Sequence, residues 1–186
     1  MQVYFERYQL NTRLHSWSRG ARTPKVVVGV DYNFCHVIPT YFSYLGGWKN
    51  DLKHGKGEYR WASGNRFNGE YYKDKPHGSG VYSSIHGDTY IGDFANGRFQ
   101  GNGKFTFGTG NRTGDTYEGD FFKGEFHGNG TYYYANGDKF VGGYRFGKKS
   151  GRGILYTHDG ETIPGRWRND KLVAEVVKFT LFKNFP

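Results

Sequence analysis

A chain of 186 residues carrying 26 basic against 17 acidic groups, only 35% hydrophobic yet 19% aromatic and with 30 glycines, is the size of one domain. Bulk hydropathy this low would class the chain as marginal or disordered, and its single cysteine excludes a disulfide framework and makes a reducing compartment the natural setting. The periodicity described below overrules the first of these priors.

Residues 1–43 hold no repeat. Within the first 25, Arg7, Arg13, Arg19, Arg22 and Lys25 stand against Glu6 alone, a bias found in organelle presequences. A mitochondrial address is therefore the alternative to a flexible or partner-docked arm. From Val26 to Val30, and again from Val37 to Leu45, the composition turns β-like, so this stretch is expected to pair with the first hairpin and cover the sheet edge. A membrane span is excluded here, because Asp31, Asn33, His36 and Pro39 interrupt it.

From Tyr44 to Trp167 one pattern recurs every 23 residues. Tyr44, Phe67, Tyr90, Tyr117 and Phe140 open five copies, and Ile163 opens a shortened sixth; the one irregular step, 27 residues, lies between Tyr90 and Tyr117. Two residues after each opener stands a glycine (Gly46, Gly69, Gly92, Gly119, Gly142, Gly165). Two further on stands a ring (Trp48, Tyr71, Phe94, Phe121, Tyr144, Trp167). A period of two places all three on one face of a β-strand. The second half of each copy alternates likewise, for example Gly55, Gly57, Tyr59 and Gly101, Gly103, Phe105. Asn50-Asp51, Lys73-Asp74, Asn96-Gly97, Lys123-Gly124 and Phe146-Gly147 supply tight turns between the halves. Each copy is thus a β-hairpin, and stacked hairpins predict an elongated, twisted, single-layer antiparallel sheet. Glycine weakens a strand unless its missing side chain is used. Here it leaves a hollow over which the rings can lie, so the rings supply most of the core.

The units resemble the MORN family (membrane occupation and recognition nexus), whose repeat reads Tyr-x-Gly-x-Trp-x-x-Gly-x-x-His-Gly-x-Gly. The fullest copies run from Tyr44 to Tyr59, with Trp48, His54, Gly55 and Gly57, and from Tyr117 to Tyr132, with Gly124, His127, Gly128 and Gly130. Gln100 and Ser150 depart from the histidine, Asp51 and Asp74 from the turn glycine, and four extra residues around 111–115 lengthen one loop. The resemblance implies an all-β scaffold of a kind found at membranes, in cilia and flagella, or attached to catalytic domains. The expected layout is a non-repeat arm over 1–43, a repeat domain over 44–167, and a cap or docking tail over 168–186. Neither end has the length of an independent catalytic domain, so a non-catalytic protein without cofactor is expected. In the tail, Leu172, Val173, Val176 and Val177 fall at i, i+1, i+4 and i+5, which predicts a short amphipathic helix.

Apparent chemical motifs dissolve into the repeat. Gly101-Asn102-Gly103 is followed by strand alternation instead of a phosphate-cradling helix. His54, His77 and His127 sit in different hairpins, two strands or roughly 10 Å apart, too far to share one metal ion; a hydrogen-bonding role near the turn is expected. Glu70, Asp93 and Asp120 follow the central glycine and point to the outer side. The positive charge is spread along the chain, and its one dense cluster in the repeats is Arg145, Lys148, Lys149 and Arg152. No nucleic-acid motif accompanies it.

Two readings remain. In the first, the sheet is a scaffold in a cytoskeletal or ciliary (flagellar) assembly of the cytoplasm. It grips a helix or extended segment of a partner through Trp48, Tyr71, Phe94, Phe121, Tyr144 and Trp167, since rigid rings give contact area at low entropic cost. In the alternative, a peripheral membrane adaptor reads anionic phospholipid through Arg145, Lys148, Lys149 and Arg152. A second copy of the chain, joined through the sheet ends, is a further candidate partner.

Overall fold

The computed structural model describes residues 25–31 and 40–175. Its thirteen strands are β1 (Lys25–Asp31), β2 (Thr40–Lys49), β3 (Leu52–Arg60), β4 (Arg66–Tyr72), β5 (Lys75–Ser83), β6 (Thr89–Ala95), β7 (Arg98–Thr106), β8 (Thr116–Phe122), β9 (Glu125–Tyr133), β10 (Lys139–Arg145), β11 (Lys148–Tyr156), β12 (Thr162–Arg168) and β13 (Lys171–Glu175). They form one antiparallel sheet in unbroken chain order. No described residue is helical.

The hairpin turns are built as the dipeptides predict. Asn50 and Asp51, Lys73 and Asp74, Asn96 and Gly97, Lys123 and Gly124, and Phe146 and Gly147 all have positive φ, as do Asn169 and Asp170. Two left-handed residues in succession make the type I′ turn, whose twist matches that of the strands it joins. Neighbouring turns are stitched together: the Asp74, Gly97, Gly124 and Gly147 N–H groups donate to the carbonyls of Lys53, Pro76, Phe99 and Phe126 at 2.9–3.0 Å. Asp74 stands where other copies carry glycine, and its carboxylate accepts the Lys53 N–H at 2.9 Å. Asp170 does the same for Lys149 at 2.8 Å, so the aspartate's left-handed backbone is offset by a bond glycine cannot make.

At the opposite end of the sheet, an Asn or Asp in each turn accepts a backbone N–H from the next turn. Asn65 bonds Ile85, Asp88 bonds Gly108, Asp115 bonds Ala135 and Asp138 bonds His158, at 2.8–3.0 Å. Asp115, the buried charged residue, also accepts the Tyr132 hydroxyl at 2.6 Å. The four extra residues lengthen the loop between β7 and β8, where the Arg112 guanidinium lies 4.0 Å from the Phe107 ring centroid.

The core is one-sided. Tyr44, Phe67, Tyr90, Tyr117 and Phe140 are 0–1% exposed. A glycine from every strand, β2 to β12, pairs in register with the next: Gly46, Gly57, Gly69, Gly80, Gly92, Gly103, Gly119, Gly130, Gly142, Gly153 and Gly165. Each opener ring bends over the glycine of its own strand and that of the next. A Cβ on Gly103 would sit 2.5 Å from the Tyr90 ring, and one on Gly69 2.7 Å from that of Phe67. The hollow expected from the sequence is therefore filled first by the strand's own ring.

Over the described part of the tail the expected helix is not formed. Lys171–Glu175 is strand β13, and the Asn169-Asp170 turn completes a sixth hairpin. The apolar spacing misled because Val173 lies on the outer side, 55% exposed, while Leu172 takes the inward position opposite Trp167. Residues 176–186, the arginine-rich arm and Cys35 lie outside the described residues. Strand β1 pairs with β2 along its whole length.

Candidate functional site

The side chains of the sheet divide into a ring face and a back face of opposite character. On the ring face, Tyr71, Phe94, Phe121, Tyr144 and Trp167 are 3–7% exposed, packed edge-on between openers. Phe94 lies 4.7 Å from Phe67 and 5.1 Å from Tyr90, and Phe121 4.9 Å from Tyr90 and 5.2 Å from Tyr117. These five candidate partner contacts are core residues with almost no free surface; Trp48, packed on Tyr44 at 5.2 Å, is half-buried.

The accessible part of this face is a second band of half-buried rings that lies over the core: Tyr59, Trp61, Tyr82, Phe99, Phe105, Phe107, Phe126 and Tyr134. They touch in sequence across the strands, from Tyr59 and Trp61 at 4.9 Å, through Trp61 and Tyr82 at 6.1 Å and Tyr82 and Phe99 at 6.0 Å, to Phe105 and Phe107 at 4.8 Å. Phe99 and Phe126 stack flat on Tyr90 and Tyr117, each at 3.9 Å. Sequence reasoning passed over these two, although they stand 27 residues apart at one repeat position shared with Lys53, Pro76, Lys149 and Leu172.

Lysines hold that position near both ends. Lys53 lies over Tyr59 at 4.6 Å and Tyr44 at 5.7 Å. Lys149 lies over Phe140 at 4.9 Å and Trp167 at 5.0 Å, and donates to the Tyr134 hydroxyl. Burial lowers both ammonium pKa values, partly offset by the negative charge of Asp74 for Lys53 and of Asp170 for Lys149. Lys149 is thus separated from Arg145, Lys148 and Arg152, with which the sequence grouped it. Burial also raises the tyrosines, pushing Tyr44 and Tyr134 up to about 12.

The back face carries the acids. Beyond the glycine pair within each of the five hairpins from β2 to β11 the register shifts at a bulge. In the middle hairpins the carboxylates of Glu70, Asp93 and Asp120 lie over the left-handed Gly78, Gly101 and Gly128. Asp120 accepts the Asn129 N–H of the bulge at 2.9 Å, so these acids do more than solvate the outer side. The histidines pack against rings: His54 and His77 flank Tyr72 at 5.4 and 5.7 Å, and His127 lies between Phe122 and Phe146 at 5.4 and 5.5 Å. The hydrogen-bonding role expected of them is not what positions His127, whose buried Nδ1 has no partner.

Arg145, Lys148 and Arg152 are exposed on the back face; Arg145 and Lys148 line an open depression there with Ser150, Gly151, and Arg166 and Arg168, which the sequence cluster left out, and Arg152 stands opposite Arg166. No curated protein matches the chain. The family profile described as MORN repeat matches residues 44–66, 67–89, 90–112, 117–139 and 140–162, and its five matches coincide with the registers of the hairpins that begin at β2, β4, β6, β8 and β10. The chain belongs to the MORN repeat family.

Proposed function

We propose that this protein is a non-catalytic scaffold that binds a helix or extended segment of a protein partner along the half-buried ring band. The observation that carries this is the band itself. Seven rings, from Tyr59 to Phe126, touch in series over a rigid core, Tyr134 joins them through the buried Tyr132, and each of the eight keeps part of its surface in solvent. Large rings held in fixed orientation give contact area without paying side-chain entropy on binding. The turn stitches on both sides of the sheet keep the band from shearing. Thirteen strands at about 4.8 Å make a platform roughly 60 Å long, suited to bracing an extended assembly; a cytoskeletal or ciliary one is the setting we propose.

The test is extraction of the tagged protein from its own cell with a mild non-ionic detergent, followed by sedimentation. The expected result is a large detergent-resistant complex from which the Tyr82→Ser, Phe107→Ser double variant dissociates while remaining folded. Release of the wild-type protein with the membrane fraction, or as a free monomer, would overturn the reading.

A further inference from the structure

On the back face of the last two hairpins, like charges stand directly opposite one another three times. Arg145 faces Lys148, Arg152 faces Arg166, and Arg168 faces Lys171. All six are exposed, and none takes part in an ion pair among the described residues. Opposed like charges destabilise a sheet; elsewhere Arg60 faces Arg66, but both pair with the Glu58 carboxylate, and the other hairpins set different residue types at the positions of these three pairs. At the positions of Arg152 and Arg166 they carry Lys56 with Glu70, Ser79 with Asp93, and Asn102 with Asp120. At the hairpin mouths they carry Lys49 with Leu52, Tyr72 with Lys75, Ala95 with Arg98, and Phe122 with Glu125. Arg166 in particular inverts the charge of the acids that cover the bulges of the middle hairpins.

We propose that these six residues form a binding site for an acidic, extended polypeptide segment, distinct from the ring band and independent of it. Arg145, Lys148, Arg166 and Arg168 line a depression together with Ser150 and Gly151, Arg152 and Lys171 stand opposite Arg166 and Arg168 beside it, and no atom lies within 4 Å of where a Cβ on Gly151 would stand. An extended chain with carboxylates on alternate residues enters such a depression and meets basic groups from three strands; the flat surface of a bilayer does not. Phe146 and Val173, 56% and 55% exposed, line the same depression and offer an apolar contact beside the charges. Phe146 occupies a left-handed turn position, φ 50°, where a bulky residue is disfavoured, and that unfavourable placement puts its ring at the rim.

The test uses the whole chain and a fluorescein-labelled glutamate-rich peptide with one central phenylalanine, followed by fluorescence anisotropy. Arg152→Glu with Arg168→Glu is the informative variant. It sets opposite charges across from Arg166 and Lys171, so its melting midpoint is expected to equal or exceed that of the wild type, while peptide affinity falls at least about tenfold. Wild-type affinity is also expected to fall as salt is raised. Failure of the wild type to bind the peptide, or equal binding by the folded variant, would overturn the proposal. So would charge-dependent pelleting with phosphatidylserine vesicles in place of peptide binding, which would assign the face to a membrane. None of these outcomes bears on the ring band, whose own test reads different residues.

Discussion

At the scale of the residue, the glycine ladder is the feature on which the rest depends. Gly103 is paired with Gly92 and Gly119 and lies under the fully buried Tyr90 ring. The ring is wedged by Phe94 and Phe99 at 5.1 and 3.9 Å, so it has nowhere to move. Gly103→Ala is expected to cost about 3 kcal/mol, at the upper end for overpacking, read as a lower urea midpoint. Asn102→Ala, exposed and next in the chain, is expected to stay within about 0.5 kcal/mol. Asp115 gives a second residue-level prediction. Replacement by Ala removes its bonds to the Tyr132 hydroxyl and the Ala135 N–H and leaves a buried hydroxyl unpaired, at a cost of about 3 kcal/mol. Adding Tyr132→Phe should recover part of that loss, and its failure to do so would show that the pair does not act as a unit.

At the scale of the element, Phe146 is the residue whose turn chemistry is worst. Asn50, Asn96 and Asn169 fill the equivalent left-handed position at φ 49–52°, at lower cost than a bulky ring. Phe146→Asn is expected to raise stability by about 0.5–1 kcal/mol, seen as a melting point a few degrees higher, even though the contact with His127 is lost. The hairpins, their turns and the face of each ring were legible in the sequence, because a period of two and paired left-handed dipeptides leave little choice. Depth was not legible. Tyr71 and Tyr59 share a face by parity, but only the overlap of rings across the glycines decides that the first is sealed and the second half open. Lys149 was misread for a different reason. It sits among basic neighbours in the chain, whereas its repeat position is that of Phe99 and Phe126, which face inward. Leu172 continues that series, a signal that the apolar spacing of the tail obscured.

At the scale of the molecule, the core is phenolic to a degree that makes its stability depend on alkaline pH. Burial raises Tyr71, Tyr90, Tyr117, Tyr132 and Tyr144 well above their ordinary value of 10.0, and Tyr44 and Tyr134 to about 12. The folded state therefore binds more protons than the unfolded state above pH 10, so stability is fully present below that pH and falls as pH rises through the folded values. Absorbance titration is expected to show the core tyrosines ionising only with unfolding. A single transition near 10 in a protein that stays folded would contradict the packing described. The same scale shows why the sequence understated the charge. Its basic excess looks diffuse along the chain, yet the sheet collects acids on the back of the middle hairpins and unpaired cations on the back of the last two.

The claim that one face of the sheet is built to receive a partner is tested most directly by a photo-cross-linking amino acid placed in the cell at Tyr82 and, separately, at Val81. The two are adjacent in β5 but lie on opposite faces, so they share expression, location and fold. Cross-linking at Tyr82 to a discrete protein, with none at Val81, is the predicted result. Equal labelling at the two positions, or labelling at Val81 alone, would contradict it.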